Sequence, residues 1–372
     1  MPLMATPRTV APTVEIFRHP DEFPAEVAAF FALAERDNIA FGADWYRNFV
    51  DHVDGVAGNA WFFVLRDADA VTTALPLLRQ RGGFPRRLEL KSLANYYTAL
   101  YSPLISTASS AEGLALLLKS ALRQAGAADS LTFRPLDPAA PAYALLLQAL
   151  CMAGLPAYEF FCFGNWYEPV RQPWPAYLAE RDGKIRSTIK RMGKKFAAHG
   201  GELTILTGVD DIECMLTDYQ SVYGASWKQA EPHINFIPGL IGLCARKRWL
   251  RMGVARLQGR AIAVQLWMVA QGKVEIYKLA YDEAYKAYSP GTLLTQLLMQ
   301  QVFEHDAAVE IDYLIGDDDY KRGWTSHRRE RWGIIAFNPR TLGGLVGWAR
   351  EALGRWARRF NFLRSPAATT TP

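Results

Sequence analysis

KVEIYKLAYDEAYKAYSPGTLLTQLLMQQVFEHDAAVEIDYLIGDDDY, residues 273–320, decides how the rest of the chain is read. Its pattern predicts a strand from Val274 to Ala280, a short polar loop, and an apolar helix carrying Leu293, Leu294, Leu297, Leu298 and Phe303. A second strand, Val309 to Ile315, follows and runs into Gly316-Asp317-Asp318-Asp319-Tyr320-Lys321. Pro290 suits the first turn of the helix, where its missing N–H would be unpaired anyway. Ser289 is placed to act as N-cap, and Gly291 removes side-chain bulk beside the exposed N–H groups. Such a helix start suits a phosphate or another anion; an ordinary capped helix in a βαβ crossover reads the same way.

Upstream, Arg251–Leu257, Ala261–Ala270 and Val274–Ala280 predict a three-stranded meander, with Gln258-Gly259-Arg260 and Gln271-Gly272 as turns. Before it come a basic helix from Ala176 to Ala198, a strand at Glu202–Leu206, a long amphipathic helix over Asp210–Lys228 and another over Gly239–Lys247. The Pro-rich connection Pro169–Pro175 reads as a domain junction. The half before it has the same grammar: a strand at Val14–Phe17, helices at Pro24–Glu35 and at Trp45–Val53 capped by Asp44, and strands at Ala60–Leu65, Val71–Leu78 and Arg86–Lys91. An aromatic-rich loop, Leu93–Leu104, then precedes a helix at Glu112–Ala125, a strand at Ser130–Phe133, a helix at Pro141–Ala153 and a strand at Ala157–Phe163.

The expected fold class is therefore α/β (α+β mixed sheets) in two similar domains, 14–168 and 176–338, followed by a basic amphipathic helix at 341–364. In that last helix Leu345, Val346, Ala349, Ala352, Leu353, Trp356 and Phe360 follow helical spacing, with Arg350, Arg355 and Arg358 mainly opposite. It either docks on its own domain or lies on an anionic membrane surface. The first dozen residues and the tail after Ser365 read as loose.

The chain has 372 residues, 50% of them hydrophobic and 21% charged, which allows a sizeable core and argues against wholesale disorder. Lys plus Arg exceed Asp plus Glu by 42 − 37 = 5, a balance that does not by itself imply nucleic acid. Cys151, Cys162, Cys214 and Cys244 form no pair or Cys/His cluster with metal spacing, so unpaired thiols and no metal are expected. The N-terminus has no basic segment followed by an apolar run, and no window approaches a spanning helix. The expected location is cytoplasmic, with peripheral contact at the inner membrane face only if the last helix lies on lipid rather than on its own domain.

Several stretches together resemble the GNAT acetyltransferase superfamily, in particular its FemAB-like branch of tandem GNAT domains and, within it, the CelD/BcsL-like acetyltransferases associated with polysaccharide genes. They are RDGKIRSTIKRMGKKF (Arg181–Phe196), the segment Tyr223-Gly224-Ala225-Ser226-Trp227-Lys228, LAYDEAYKAYSPGTLL (Leu279–Leu294) and IDYLIGDDDYKRGWTS (Ile311–Ser326), with a weaker echo in FGADWYRNFV (Phe41–Val50). The resemblance implies two tandem GNAT-like domains and acyl transfer from a thioester, usually acetyl-CoA, to an amine or hydroxyl of a small-molecule or glycan acceptor. It also implies that Ser289, Pro290, Gly291 and Thr292 hold the donor's pyrophosphate arm, with Lys278 on the preceding strand. The loop Tyr288–Thr292 departs from the common GNAT pattern of a basic residue or Gln followed by spaced glycines. That departure is shared by the FemAB-like branch and keeps an aminoacyl-tRNA donor open. A GNAT-like scaffold without catalysis at the membrane surface is a third possibility.

Direct acyl transfer needs an acceptor deprotonated near its attack point, a polarised carbonyl and a proton for the leaving thiolate. Asp312, in an otherwise apolar strand, is a candidate general base or acceptor ligand, or else a carboxylate paired with Lys321 or Lys278. Tyr320 is placed to protonate the thiolate, or to act as an aromatic lid. Lys321 is placed to hold an anionic group, or to pair with Asp317 or Asp319. Trp227 and Lys228 are acceptor-side candidates, Trp227 being explained better by plain packing. On the basic helix, Arg186 and Lys190 either contact CoA phosphates, tRNA or an anionic acceptor, or form a solvated face.

Overall fold

The structure is a computed structural model that describes residues 11–82 and 87–364, the side chains of 358–364 excepted. Most of the expected loose N-terminus, Arg86 of the third expected strand, the tail after Ser365, and the side chains of Arg358 and Phe360 lie outside the described residues. By internal contacts the chain divides into two units. Residues 11–34, 58–162 and 331–364 belong to the first, and 35–57 with 163–330 to the second. The architecture is α/β, with mixed sheets.

In the first unit, β1 (Thr13–Phe17), α1 (Ala25–Ala34), β2 (Ala60–Asp67), β3 (Ala70–Arg81) and β4 (Leu88–Ser92) come first. Then follow β5 (Leu104–Ile105), α3 (Ala111–Gln124), β6 (Ser130–Leu136), α4 (Pro141–Met152) and the start of β7 (Ala157–Pro169). Strands β1 to β4 pair antiparallel in order. The crossover through α3 brings β6 parallel to β4. Phe63, Leu75, Leu90, Leu118, Leu131 and Phe133 fill the core between sheet and helices.

The second unit repeats this order. It holds α2 (Ala43–His52), α5 (Trp174–Glu180), α6 (Gly183–Ala198), β8 (Gly201–Leu206), α7 (Ile212–Gly224), α8 (Phe236–Arg246), β9 (Leu250–Leu257), β10 (Arg260–Ala270) and β11 (Lys273–Tyr281). After these come α9 (Pro290–His305), β12 (Glu310–Asp312), α10 (Asp319–Arg322) and the start of β13 (His327–Phe337). Strands β8 to β11 are an antiparallel meander and β12 lies parallel to β11. At both turns a Gln-Gly pair sits at positive φ, Gln258 with Gly259 and Gln271 with Gly272, the backbone that a tight hairpin demands. Helix α9 buries Leu293, Leu294, Leu298, Met299 and Val302 on the sheet.

The sequence pattern did not disclose how each sheet is completed. The end of β7 pairs antiparallel with β12, as the last strand of the second unit's sheet. The end of β13 pairs with β6, as the last strand of the first unit's sheet. Each sheet thus closes with a strand distant in sequence from its partner, supplied early by β7 in the second unit and late by β13 in the first.

The expected strand Val309–Ile315 is ordered as a strand only over Glu310–Asp312. Leu314 turns to φ 55°, and its N–H donates to the Asp312 carboxylate at 2.6 Å. The helix expected to reach Lys228 stops at Gly224.

Helix α11 (Leu342–Arg364) belongs to the first unit. It docks by glycines rather than by its apolar stripe. A methyl group at Gly344 would overlap the Asn338 carbonyl, one at Gly343 would meet Asp129 Oδ1 at 2.5 Å, and one at Gly347 would meet the Phe337 ring at 2.8 Å. Thr341 Oγ1 accepts the Gly344 N–H at 3.0 Å and caps the helix. Arg355 donates to the Glu159 carbonyl at 2.8 Å and Trp348 to the Tyr158 hydroxyl at 3.0 Å.

Candidate functional site

The start of α9 is fixed from beneath and open above. Trp267 Nε1 donates to Gln265 Oε1 at 2.9 Å, and Gln265 Nε2 donates to both the Gly291 carbonyl and Thr295 Oγ1 at 2.9 Å. This buried polar chain ties the first turn to β10. Pro290 occupies the first helical position and is buried. Ser289 is not the side-chain cap that the sequence suggested. It adopts the left-handed conformation, φ 51° and ψ 47°, and its side chain makes no capping bond. The 3-10 turn Glu283–Tyr288 enters the helix from an angle that aims the Ser289 carbonyl, not its hydroxyl, at the Thr292 and Leu293 N–H groups, at 3.0 and 3.2 Å. A Cβ at Gly291 would meet only Tyr281, at 3.7 Å, an ordinary contact.

Beside this helix start two parallel strands part. β11 and β12 pair only at Lys273–Glu275 with Glu310–Asp312. Past that point β11 bulges at Tyr277, between the pairs Trp267–Ile276 and Leu266–Lys278. The other chain turns away to pair its Tyr313 N–H with the Trp166 carbonyl at 2.9 Å. The result is a wedge whose closed end carries Glu275 and Asp312 side by side. The Tyr313 hydroxyl, buried in the same region, has no hydrogen-bond partner among the described residues.

Asp312 is held by neither Lys321 nor Lys278. Asn165 Nδ2 donates to its Oδ1 at 2.5 Å, the Leu314 N–H to the same oxygen, and Arg329 grips Oδ2. Arg329 also bridges to Glu310 at 2.9 Å, donates to Asn165 Oδ1 at 2.6 Å and stacks over Tyr167. Glu275 has no such cation. Burial pushes its carboxyl up to about 7, the Asp312 charge adds to the rise, and the Asn38 amide, donating at 3.1 Å, pulls against it. Glu275 is a site residue that the sequence reading passed over. Its signal, an acid inside the apolar run VEI, was the argument applied to Asp312.

Around the mouth stand three lysines. Lys278 pairs with Glu231 at 2.6 Å. Lys228 is depressed by burial first and then by the Lys278 charge, with Lys321 adding and Glu231 opposing. Lys321 is only 3% exposed. Its ammonium donates to the Ile315 carbonyl at 2.5 Å and the Gly316 carbonyl at 3.2 Å, and its ion pair is with Asp318 at 3.2 Å, not with Asp317 or Asp319. Burial lowers its pKa and Asp318 opposes. Tyr320 packs edge-on against Tyr313, and burial followed by Asp318 raises its phenol, so the hydroxyl stays protonated and can donate. Trp227 packs on Tyr281 at 4.6 Å, beside the α9 start.

Helix α6 connects the two ends. Ile185 lies against Gly323, next to α10, and Gly193 against Leu293 of α9. Lys195 reaches the Ala287 carbonyl at 3.4 Å and sits over Tyr288. Lys184, Arg186, Lys190, Arg191, Lys194 and Lys195 are all exposed. Arg186 and Lys190 thus stand on a basic face, away from the acidic cluster.

Residues 183–322 match a family model described as an acetyltransferase (GNAT) domain. The matched segment runs from α6 through α10 and contains Glu275, Gly291, Asp312 and Lys321. Arg329, Asn165 and Asn38 fall outside it. Among solved structures, FemX superposes with a TM-score of 0.54 at 12% identity, over 79% of this chain and 90% of that one. A conserved protein of unknown function from Bacteroides thetaiotaomicron superposes at 0.52 and 13% identity, over 84% and 95%. At such identities these structures share the fold. A search of curated proteins gives no match. The CelD-like assignment within the GNAT group has no counterpart among these similarities.

The matching helix start in the first unit differs from that of the GNAT domain. Ser110 Oγ accepts the Gly113 N–H at 3.1 Å and so caps α3 with its own side chain. Tyr101 is buried between strands there, its hydroxyl donating to the Pro76 carbonyl at 2.9 Å and its N–H to the Pro135 carbonyl at 2.7 Å. Among the described residues no cluster of three or more His, Cys, Asp or Glu is placed to hold a metal ion. No helix among them is long and apolar enough to cross a membrane.

Proposed function

We propose that the GNAT domain transfers an acyl group, acetyl in the simplest case, from a CoA thioester directly to an amine or hydroxyl of a sugar or glycan-linked acceptor. The observation that carries this reading is the open start of α9 beside the wedge between β11 and β12. The donor's pyrophosphate would lie at the Gly291 N–H and the positive end of α9, the Thr292 and Leu293 N–H groups being taken by the Ser289 carbonyl, and its thioester arm would enter the wedge. Tyr313 would then find a partner for a hydroxyl whose isolation costs about 1–3 kcal/mol.

On this reading the acceptor approaches from the α7–α8 face, between Trp227, Lys228 and Lys278. Glu275, held near neutrality, takes the acceptor's proton, directly or through one water. The acceptor's nitrogen or oxygen attacks the thioester carbon, the C–S bond breaks, and Tyr320 supplies the proton for the thiolate. Lys321 holds the Ile315–Gly316 turn and lends positive charge nearby. Asp312, fixed by Arg329 and Asn165, orients the closed end of the wedge and raises Glu275. The division into a donor-binding half at 176–338 and a bracing half at 14–168 belongs to this proposal.

Calorimetric titration with acetyl-CoA tests it. One site per chain is expected, because α3 is capped by Ser110. Gly291→Trp should weaken binding roughly a hundredfold, by filling the space before the N–H groups, with little effect on folding. An absence of binding to the intact chain would refute the CoA reading. It would leave the exposed basic face of α6 as the observation favouring an aminoacyl-tRNA donor, which charged tRNA at low salt would test.

A further inference from the structure

We propose that α11 lies flat on an anionic lipid surface, with its outward apolar side dipping among the headgroups. An amphipathic helix of a globular unit normally turns its large apolar residues inward; α11 does the reverse. Its docked side is made of Gly343, Gly344 and Gly347, where an added methyl group would collide with Asp129, Asn338 or Phe337. That close fit fixes the roll of the helix. Leu342, at 80% exposure, Leu353, at 65%, and Trp356, at 61%, therefore face outward with Leu345 and Val346, which are also exposed. At helical spacing these five share one side. A side this apolar is uncommon on a soluble surface and marks an interaction.

Charge selects the occupant. From 342 to 364 the sequence has Arg350, Arg355, Arg358, Arg359 and Arg364 against the single acid Glu351. Arg355 is turned to the Glu159 carbonyl, and the rest of that positive charge, on a helix with an exposed Leu, Val and Trp side, complements anionic headgroups. A second copy would bring the same arginines against themselves, because a two-fold interface uses the same patch twice. The helix is too polar to span a bilayer, so it would lie in the interface plane, where Trp is favoured.

Co-sedimentation of the full chain with vesicles tests this. The protein should pellet with mixed phosphatidylcholine–phosphatidylglycerol vesicles at least roughly tenfold more strongly than with phosphatidylcholine alone. The exposed double change Leu345→Glu/Leu353→Glu should reduce that binding at least roughly tenfold, with an unchanged thermal midpoint and unchanged acetyl-CoA titration. Gly291→Trp should pellet like the parent, so lipid binding and donor binding fail separately. The proposal is overturned if the parent stays in the supernatant, if charge on the vesicle makes no difference, or if the double variant pellets equally. A parent dimer that the double variant converts to monomer would assign the face to a second copy instead.

Discussion

Replacing Arg329 by methionine is expected to destabilise the protein by about 3 kcal/mol at pH 7, the lower end for removing one partner of a buried ion pair. The guanidinium neutralises Asp312 and Glu310 together, orders Asn165, and lies on Tyr167. Its side chain is about a quarter exposed, at 27%, and solvent screening keeps the effect from the upper end. Without it, two carboxylates and Glu275 face one another at the closed end of the wedge. Those carboxyls would then bind protons more readily in the folded state, so the deficit should shrink as the pH falls toward 5. Urea unfolding at both pH values measures this. In an Asp312→Asn background the same change should cost less than the two single costs added, since each removes what the other compensates. A loss below about 1 kcal/mol, in the range of an exposed pair, would show that Arg329 does not organise the cluster.

Glu275→Gln has the second large expectation, and its sign depends on pH. The folded carboxyl titrates at about 7 against an ordinary 4.5. Between those values the folded chain holds a proton that the unfolded chain has released, so stability falls as pH rises through that window. The penalty is complete above about pH 7 and is on the order of 3 kcal/mol. Glutamine carries no charge, so the variant should match the parent near pH 4 and exceed its stability at pH 8 by up to that amount. Its amide oxygen still accepts from Asn38. If Glu275 is the base, kcat/KM should drop by about 10²–10³ and lose its ionisation near pH 7. Added stability with an unchanged pH–rate profile would keep the burial argument and remove the catalytic role. Loss of activity with the profile retained would make Glu275 a positioning residue.

Much of this was readable in the stretch from Arg251 to Tyr320. The Gln-Gly turns, the apolar runs of β10 and β11, and Pro290 before a leucine-rich run are local signals with local causes, and the elements stand where those signals put them. Ser289 shows where local reading stops. Its residue type favours a cap, but the preceding 3-10 turn delivers it in a left-handed conformation that sends its hydroxyl elsewhere. The partners of Asp312 were equally out of reach. Asn165 and Arg329 lie 147 and 17 residues away and arrive through strand pairing, which no periodicity encodes. On α11 the apolar stripe was plain in the sequence, but only the packing of Gly344 and Gly347 shows that the stripe faces out.

The late arrival of β13 constrains how this chain can be made. Residues 331–337 close a sheet whose other strands leave the ribosome some two hundred residues earlier. Until then β6 presents an unpaired edge, the kind of surface that recruits wrong partners. The first half to be translated is thus among the last to be finished, against the usual order in which an N-terminal domain folds as soon as it emerges. A nascent chain released short of Phe337 would carry that open edge permanently, whatever the state of the second unit.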